Sequence, residues 1–252
     1  MVKKIKRARR PAYATPKGHE RVFTKQLKKV ARNVGMIAEA GATDVAAGLP
    51  PAAMLNAMGA YEAALEPWAI KVSGRLIAGV EKDASRALAA NSKGIFKGMR
   101  GVAAKQASER VGKAQLVRHV NLIKSLPKVA GDRAIAIVQD GVRTGRRAED
   151  MVSDLMQTGD ITEGRARTIA RTEANQCNAE MTEAKAVAAG CTGYIWRTMK
   201  DDNVRDSHQP MEGVVCTYNK PPMLPDGESY HAGMGINDRC YQEPIIPDLK
   251  EV

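Results

Sequence analysis

Two sets of residues in the C-terminal part of this 252-residue chain are of types that could do chemistry. Asp201, Asp202, His208, His231 and Cys240 together make a conceivable zinc set, since thiolate, imidazole and carboxylate are the usual ligands of that ion. The spacing weighs against it. Structural zinc sites bring their ligands in close pairs, whereas the gap from His208 to His231 is long and Cys240 stands alone. No metal and no other cofactor is therefore expected, and His208 reads as a hydrogen-bonded pin between the turn at Asp201–Ser207 and the final strand. The second set is Glu163, Arg167 and Arg171, which share a helical face, with Thr172 and Glu173 on adjacent faces. Glu173 as general acid or base with Arg171 as an anion clamp would suit glycosyl transfer or hydrolysis. No nucleophile or phosphate-cradling loop lies nearby in sequence, so the structural reading is the stronger: Arg171 and Glu173 lock their helix to the strands that follow by charge-assisted hydrogen bonds.

The elements that must position these residues follow from periodicity. Phe23, Leu27, Val30, Val34 and Ile37 make one apolar stripe, which predicts a helix over 23–40. Gly48-Leu49-Pro50-Pro51 is a turn, and Ala52 to Ala90 reads as two helices broken near Pro67 or Val72-Ser73-Gly74. Helical patterning returns over 102–126, where Pro127 ends or kinks it, and continues over 131–142. A short helix ends at Met156 with Thr158-Gly159-Asp160 as its stop, and a long one runs over 163–189 to the breaker Gly190. After Gly190 the pattern changes to short β-rich runs at 194–199 and 214–218, a Pro/Gly/Asp loop over 220–230, and a closing strand over 240–246. Trp68 and Trp196 sit in apolar-periodic sequence as packing anchors, and Met36, Met54 and Met58 read as core. The expected class is α+β, a mainly helical N-terminal body with a small C-terminal α+β module.

Charge divides the chain more sharply than any motif. Of its 39 Lys and Arg and 28 Asp and Glu, 12 and one fall within residues 1–35, which leaves 27 of each sign on the other 217 residues. The whole net charge of +11 thus sits on an N-terminal arm, whose Lys3, Lys4, Lys6, Arg7, Arg9, Arg10, Lys17 and Arg21 are candidate phosphate contacts. With only Tyr13 and Phe23 as aromatics there, sequence-independent binding of duplex DNA is expected rather than base stacking on a single strand. The four cysteines form no C-x-x-C pair, which fits a reducing, cytosolic setting. No apolar run suffices for a membrane span.

Read in order, Arg171-Thr172-Glu173, Trp196, the run from Asp201 through Arg205 to His208, Glu212-Gly213 and Asn237-Asp238-Arg239-Cys240 form a series between Asp160 and Ile246. That series resembles the Mu F-like minor head proteins of tailed bacteriophages, whose members carry Arg-Thr-Glu on a helix, a Trp-bearing strand, Asp-x-Arg-Val-Arg-x-x-His, an acidic-Gly pair and a closing Cys-Arg-Cys. Three positions depart from the pattern: Asn203 replaces the first Arg, Glu212 stands where Asp is more usual, and Asp238 occupies the place of the first Cys. The last of these removes the Cys-x-Cys pair as a metal or disulfide device.

The resemblance implies a non-enzymatic virion protein acting in head morphogenesis and in retaining or delivering the genome, at the capsid interior or portal vertex. Its implied partners are the portal protein or the major capsid protein. Three segments are expected: the basic arm 1–35, a helical portal- or capsid-associating region 36–160, and a Mu F-like module 161–252 in which Arg171, Thr172, Glu173, Trp196, Asp201, Arg205, His208, Gly213, Arg239 and Cys240 are structural. The alternatives are a metal-dependent hydrolase or a transferase, built on His208 and Cys240 or on Arg171 and Glu173, and a free-standing non-specific DNA-binding protein.

Overall fold

The structure, a computed structural model, describes residues 13–92 and 99–247. Among these the chain forms helices α1 (Lys17–Ala46), α2 (Ala52–Ala64), α3 (Glu66–Asn91), α4 (Met99–Thr144), α5 (Ala148–Met156) and α6 (Thr158–Ala188). Strands β1 (Gly193–Arg197), β2 (Val215–Thr217) and β3 (Tyr241–Pro244) follow, with a 3-10 turn at Gln209–Met211 before β2. The protein is therefore a mainly helical body with a small three-stranded α+β module, as composition and periodicity predicted. The candidate phosphate contacts Lys3, Lys4, Lys6, Arg7, Arg9 and Arg10 lie outside the described residues, whereas Lys17 and Arg21 belong to α1.

The contacts divide the chain into two units that interleave in sequence. One takes 13–20, 75–92, 99–115 and 171–247, the other 21–74 and 116–170. The expected segment boundaries after residues 35 and 160 fall inside α1 and α6.

In the all-helical unit, Phe23, Leu27, Val30 and Val34 bury the stripe read from the sequence, and Met54 and Met58 of α2 are buried as well. Met36 is not core: it is 67% exposed, because position 36 falls between the stripe residues on the solvent side of α1. Trp68 is only half-buried. The break between α2 and α3 falls at Leu65, which places Pro67 in the first turn of α3, where its missing N–H has no intrahelical acceptor to lose.

Pro127 behaves differently from the expectation. It does not end the helix, since α4 continues past it, although an interior proline forfeits a backbone bond at a cost of about 3 kcal/mol. Ile123, Leu126, Ala130 and Ala134 lie fully or almost fully buried on one face across that position, and burial of this stripe offsets the local cost. Thr158-Gly159-Asp160 is likewise no stop but the first turn of α6. Gly159 is there for proximity: a Cβ on it would meet the Cα of Gly35 at 3.1 Å, so α1 and α6 touch backbone to backbone at a pair of glycines.

In the mixed unit, α6 ends as the sequence predicted. Gly190 adopts φ 91°, Cys191 N–H donates to Ala186 O at 2.9 Å and Gly190 N–H to Val187 O at 2.9 Å, a Schellman closure that turns the chain into β1. β1 is the central strand of an antiparallel sheet ordered β2-β1-β3, with Tyr194 opposite both Cys216 and Pro244, and Arg197 opposite Tyr241. All five of its residues are buried. Tyr194, Trp196, Met211, Cys216, Tyr218, Leu224 and Cys240 pack with Ala186 of α6 into one core. A second cluster joins Tyr13, Leu88 and Tyr241, so the chain just before α1 is part of this unit's interior. Lys185 of α6, 5% exposed, reaches Glu81 of α3 at 3.2 Å and Ser108 of α4 at 3.1 Å.

Candidate functional site

The loops that join β1 to β2 and β2 to β3 carry most of the residues singled out in the sequence, and they converge beside Trp196. Asp201 opens the first loop with a side-chain bond from Asn203 N–H at 3.2 Å and holds Arg239 by two bonds of 2.6 and 2.8 Å. Arg205 donates to Ile236 O at 2.5 Å and to Tyr230 Oη at 3.3 Å. Planar guanidinium groups thus pin the loop after β1 to the segment before β3 at two points. Gly213 N–H donates to Trp196 O and Trp196 N–H to Val214 O, which lays the Glu212-Gly213 turn against β1.

At the centre stand His208, Asp238 and Cys240, all buried. His208 Nδ1 is 3.2 Å from Asp238 Oδ1 and 3.3 Å from Cys240 Sγ, while Nε2 lies 2.9 Å from Tyr230 Oη and the ring meets Trp196 edge-on at 5.5 Å. Asp238 is fixed by two backbone donors, Gly233 N–H to Oδ2 and Cys240 N–H to Oδ1, each at 2.8 Å. Burial opposes ionisation of Asp238, yet its contacts with His208 and Cys240 N–H hold its pKa below the ordinary 3.8. Burial first, then the Asp238 charge, pushes the Cys240 thiol far up. The three residues floor a polar cavity of about 200 Å³ whose lining includes Arg171, Arg205 and Arg239.

His208 is hydrogen-bonded to Tyr230, Asp238 and Cys240, partners that differ from the zinc set considered in the sequence. Asp201 is taken by Arg239, Asp202 is exposed, and His231 stands apart, 3.1 Å from Tyr194 Oη with its pKa lowered by burial. Asp238 and Tyr230 are the members that sequence reasoning missed. The signal for Asp238 was its place two residues before Cys240, which in extended chain puts both side chains on one side.

A cysteine nucleophile with a histidine base would need sulfur at one ring nitrogen and the orienting carboxylate at the other. Here both face Nδ1, so His208 is not arranged as a relay.

The Arg-Thr-Glu segment needs a correction. Arg171 does not lock α6 to the strands: its side chain is 47% exposed and donates from Nε to Glu20 of α1 at 3.0 Å. The tie to the module runs through Thr172, whose Oγ1 accepts from Asn237 N–H at 3.0 Å, and through Gln176, which donates to Met234 O at 2.6 Å. Glu173 is buried. The physical reason is helical phase, since Arg171 points about 100° away from Thr172. Thr172→Val is therefore expected to cost about 1 kcal/mol in urea unfolding, and Arg171→Ala no more than about 1 kcal/mol, because its ion pair is half in water. A larger loss at Arg171 than at Thr172 would reverse this assignment.

Acid should weaken the module. Burial works against the Glu212 carboxylate, but donors from Thr198 N–H, Thr198 Oγ1 and Lys200 outweigh it and hold its pKa below the ordinary 4.5. The Arg239 guanidinium does the same for Asp201 against an ordinary 3.8, with burial opposing and Asn203 N–H assisting. A carboxylate with a depressed folded pKa contributes in full above its unfolded value and loses that contribution as pH falls through the folded one. Stability is thus expected to be flat near neutrality and to drop below about pH 4.5, with Glu212→Gln less stable at neutral pH and less acid-sensitive. Urea midpoints taken from about pH 7 down to about pH 3 give the check.

With this geometry in place, comparison with known proteins is informative. Residues 135–243 match the family model described as Phage Mu protein F like protein, a similarity that takes in the end of α4, α5, α6 and the sheet. An uncharacterized protein of Haemophilus influenzae is 30% identical over 134 residues, which is 53% of this chain and 29% of that protein. The chain therefore spans less than a third of the length of that relative. No solved structure matches it. Among the described residues no helix is long and apolar enough to cross a membrane.

Proposed function

We propose that this protein is a minor head protein of a tailed bacteriophage that acts in head morphogenesis, held at the portal vertex or inner capsid, with residues 1–35 directed at packaged DNA. The observation that carries the reading is the Mu F-like match over 135–243, in which the motif residues serve as loop-to-loop and loop-to-helix ties. The charge asymmetry supports the DNA contact: twelve basic side chains against one acid in the first 35 residues, on a chain otherwise formally neutral. His208, Cys240, Arg171 and Glu173 act as structure in this reading, and the protein is not an enzyme.

Purified virions are the test. The polypeptide is expected there at a few copies per particle, with density beside the portal in a particle reconstruction. Its absence from virions that nonetheless need it for infectivity would favour an assembly factor or a host-acting enzyme instead.

A further inference from the structure

We propose that His208, Asp238 and Cys240 bind one zinc ion, with the fourth coordination position facing the adjoining polar cavity. The inference goes beyond the head-protein reading and does not rest on it. Its basis is convergence. An imidazole nitrogen, a carboxylate oxygen and a sulfur, all buried, lie within 4.8 Å of one another. Tetrahedral zinc with bonds of about 2.05 Å to nitrogen, 2.1 Å to oxygen and 2.3 Å to sulfur has N···O and N···S edges of about 3.4 and 3.6 Å. The two edges to Nδ1, 3.2 Å to Asp238 Oδ1 and 3.3 Å to Cys240 Sγ, need widening by only 0.2 to 0.3 Å, and the carboxylate-to-sulfur edge lies within 4.8 Å.

The surroundings are those of a metal centre rather than of a lone hydrogen bond. Tyr230 Oη accepts from His208 Nε2 at 2.9 Å when the proton sits on that nitrogen, which turns the Nδ1 lone pair toward Asp238 and Cys240. Gly233 N–H and Cys240 N–H hold the carboxylate in place. The fully buried Trp196 indole N–H neighbours the Cys240 sulfur, and a metal-bound thiolate would accept from it more strongly than the thiol does. Charge closes as well: neutral imidazole, carboxylate and thiolate sum to −2, which a divalent cation cancels, and coordination releases the thiol proton to solvent. A mixed N, O, S donor set of this kind suits zinc better than the oxygen-seeking magnesium or calcium. The cavity of about 200 Å³ has room for a water molecule as fourth ligand. The ion would clamp the 3-10 turn after His208 to the entry of β3.

Elemental analysis of the purified full chain, and of chain stripped with a chelator and titrated with zinc or cobalt(II), tests this. One metal per chain is expected, with a sulfur-to-cobalt charge-transfer band that Cys240→Ser loses while far-ultraviolet circular dichroism is retained. Tyr230→Phe should weaken zinc about 10-fold or more without removing the band. Should Cys240→Ser fail to fold, Asp238→Cys decides: restoring two thiolates should intensify the band and hold zinc against more chelator. A folded wild-type chain that takes up neither metal, or a band unchanged in Cys240→Ser or in Asp238→Cys, would overturn the site.

Discussion

Replacing Arg197 by Ala is expected to destabilise the C-terminal module by about 3–5 kcal/mol, more than any of the motif residues tied at the surface. Its side chain is 2% exposed and lies at the end of the central strand, with Nε donating to Glu243 at 2.5 Å and Nη1 3.4 Å from Glu212. Both glutamates are three-quarters buried or more, so truncation leaves two carboxylates facing one another without the guanidinium between them. Lys at 197 should recover only part of the loss, since a single ammonium cannot span both partners in the fork geometry of Arg. Urea unfolding of the full chain in a Trp68→Phe background, followed by Trp196 fluorescence, reports on this module because the Trp196 ring is fully buried in its core. A loss below about 1 kcal/mol would mean that the pair of salt bridges is offset by its own desolvation and contributes little.

The second large effect concerns DNA. If about six basic side chains of the arm engage phosphate, the slope of log affinity against log salt should be about −5 on duplex DNA of any sequence. The truncation that tests it has to stop before Tyr13, because Tyr13 is buried against Leu88 and Tyr241, His19 bonds Asp83 at 2.9 Å and Glu20 pairs with Arg171. Deleting residues 1–12 removes Lys3, Lys4, Lys6, Arg7, Arg9 and Arg10 and should take most of that slope away at unchanged melting temperature. A truncated chain that binds DNA as before but is missing from assembled heads would make the arm a docking peptide for an acidic protein surface.

The sequence by itself determined the class of the fold and the order of its parts. The stripe of Phe23, Leu27, Val30 and Val34, the stop at Gly190 and the short β-rich runs are local signals, each set by one periodicity or one backbone preference, and each survives in the structure. The charge asymmetry needs no fold at all, and the order of the motifs between Asp160 and Ile246 pointed to the family whose model matches 135–243, which starts 25 residues earlier. Tertiary structure alone decided the rest, wherever burial or proximity outweighed local preference. Pro127 stays helical because Ile123, Leu126 and Ala130 are buried around it, and Gly159 is a point of helix contact rather than a stop. Arg171 spends its ion pair on Glu20 of α1, and the hydrogen bond from α6 to the segment before β3 falls to Thr172. Asp238 read as the loss of a cysteine until the chain brought it within 3.2 Å of a histidine thirty residues earlier, a distance that no spacing rule encodes.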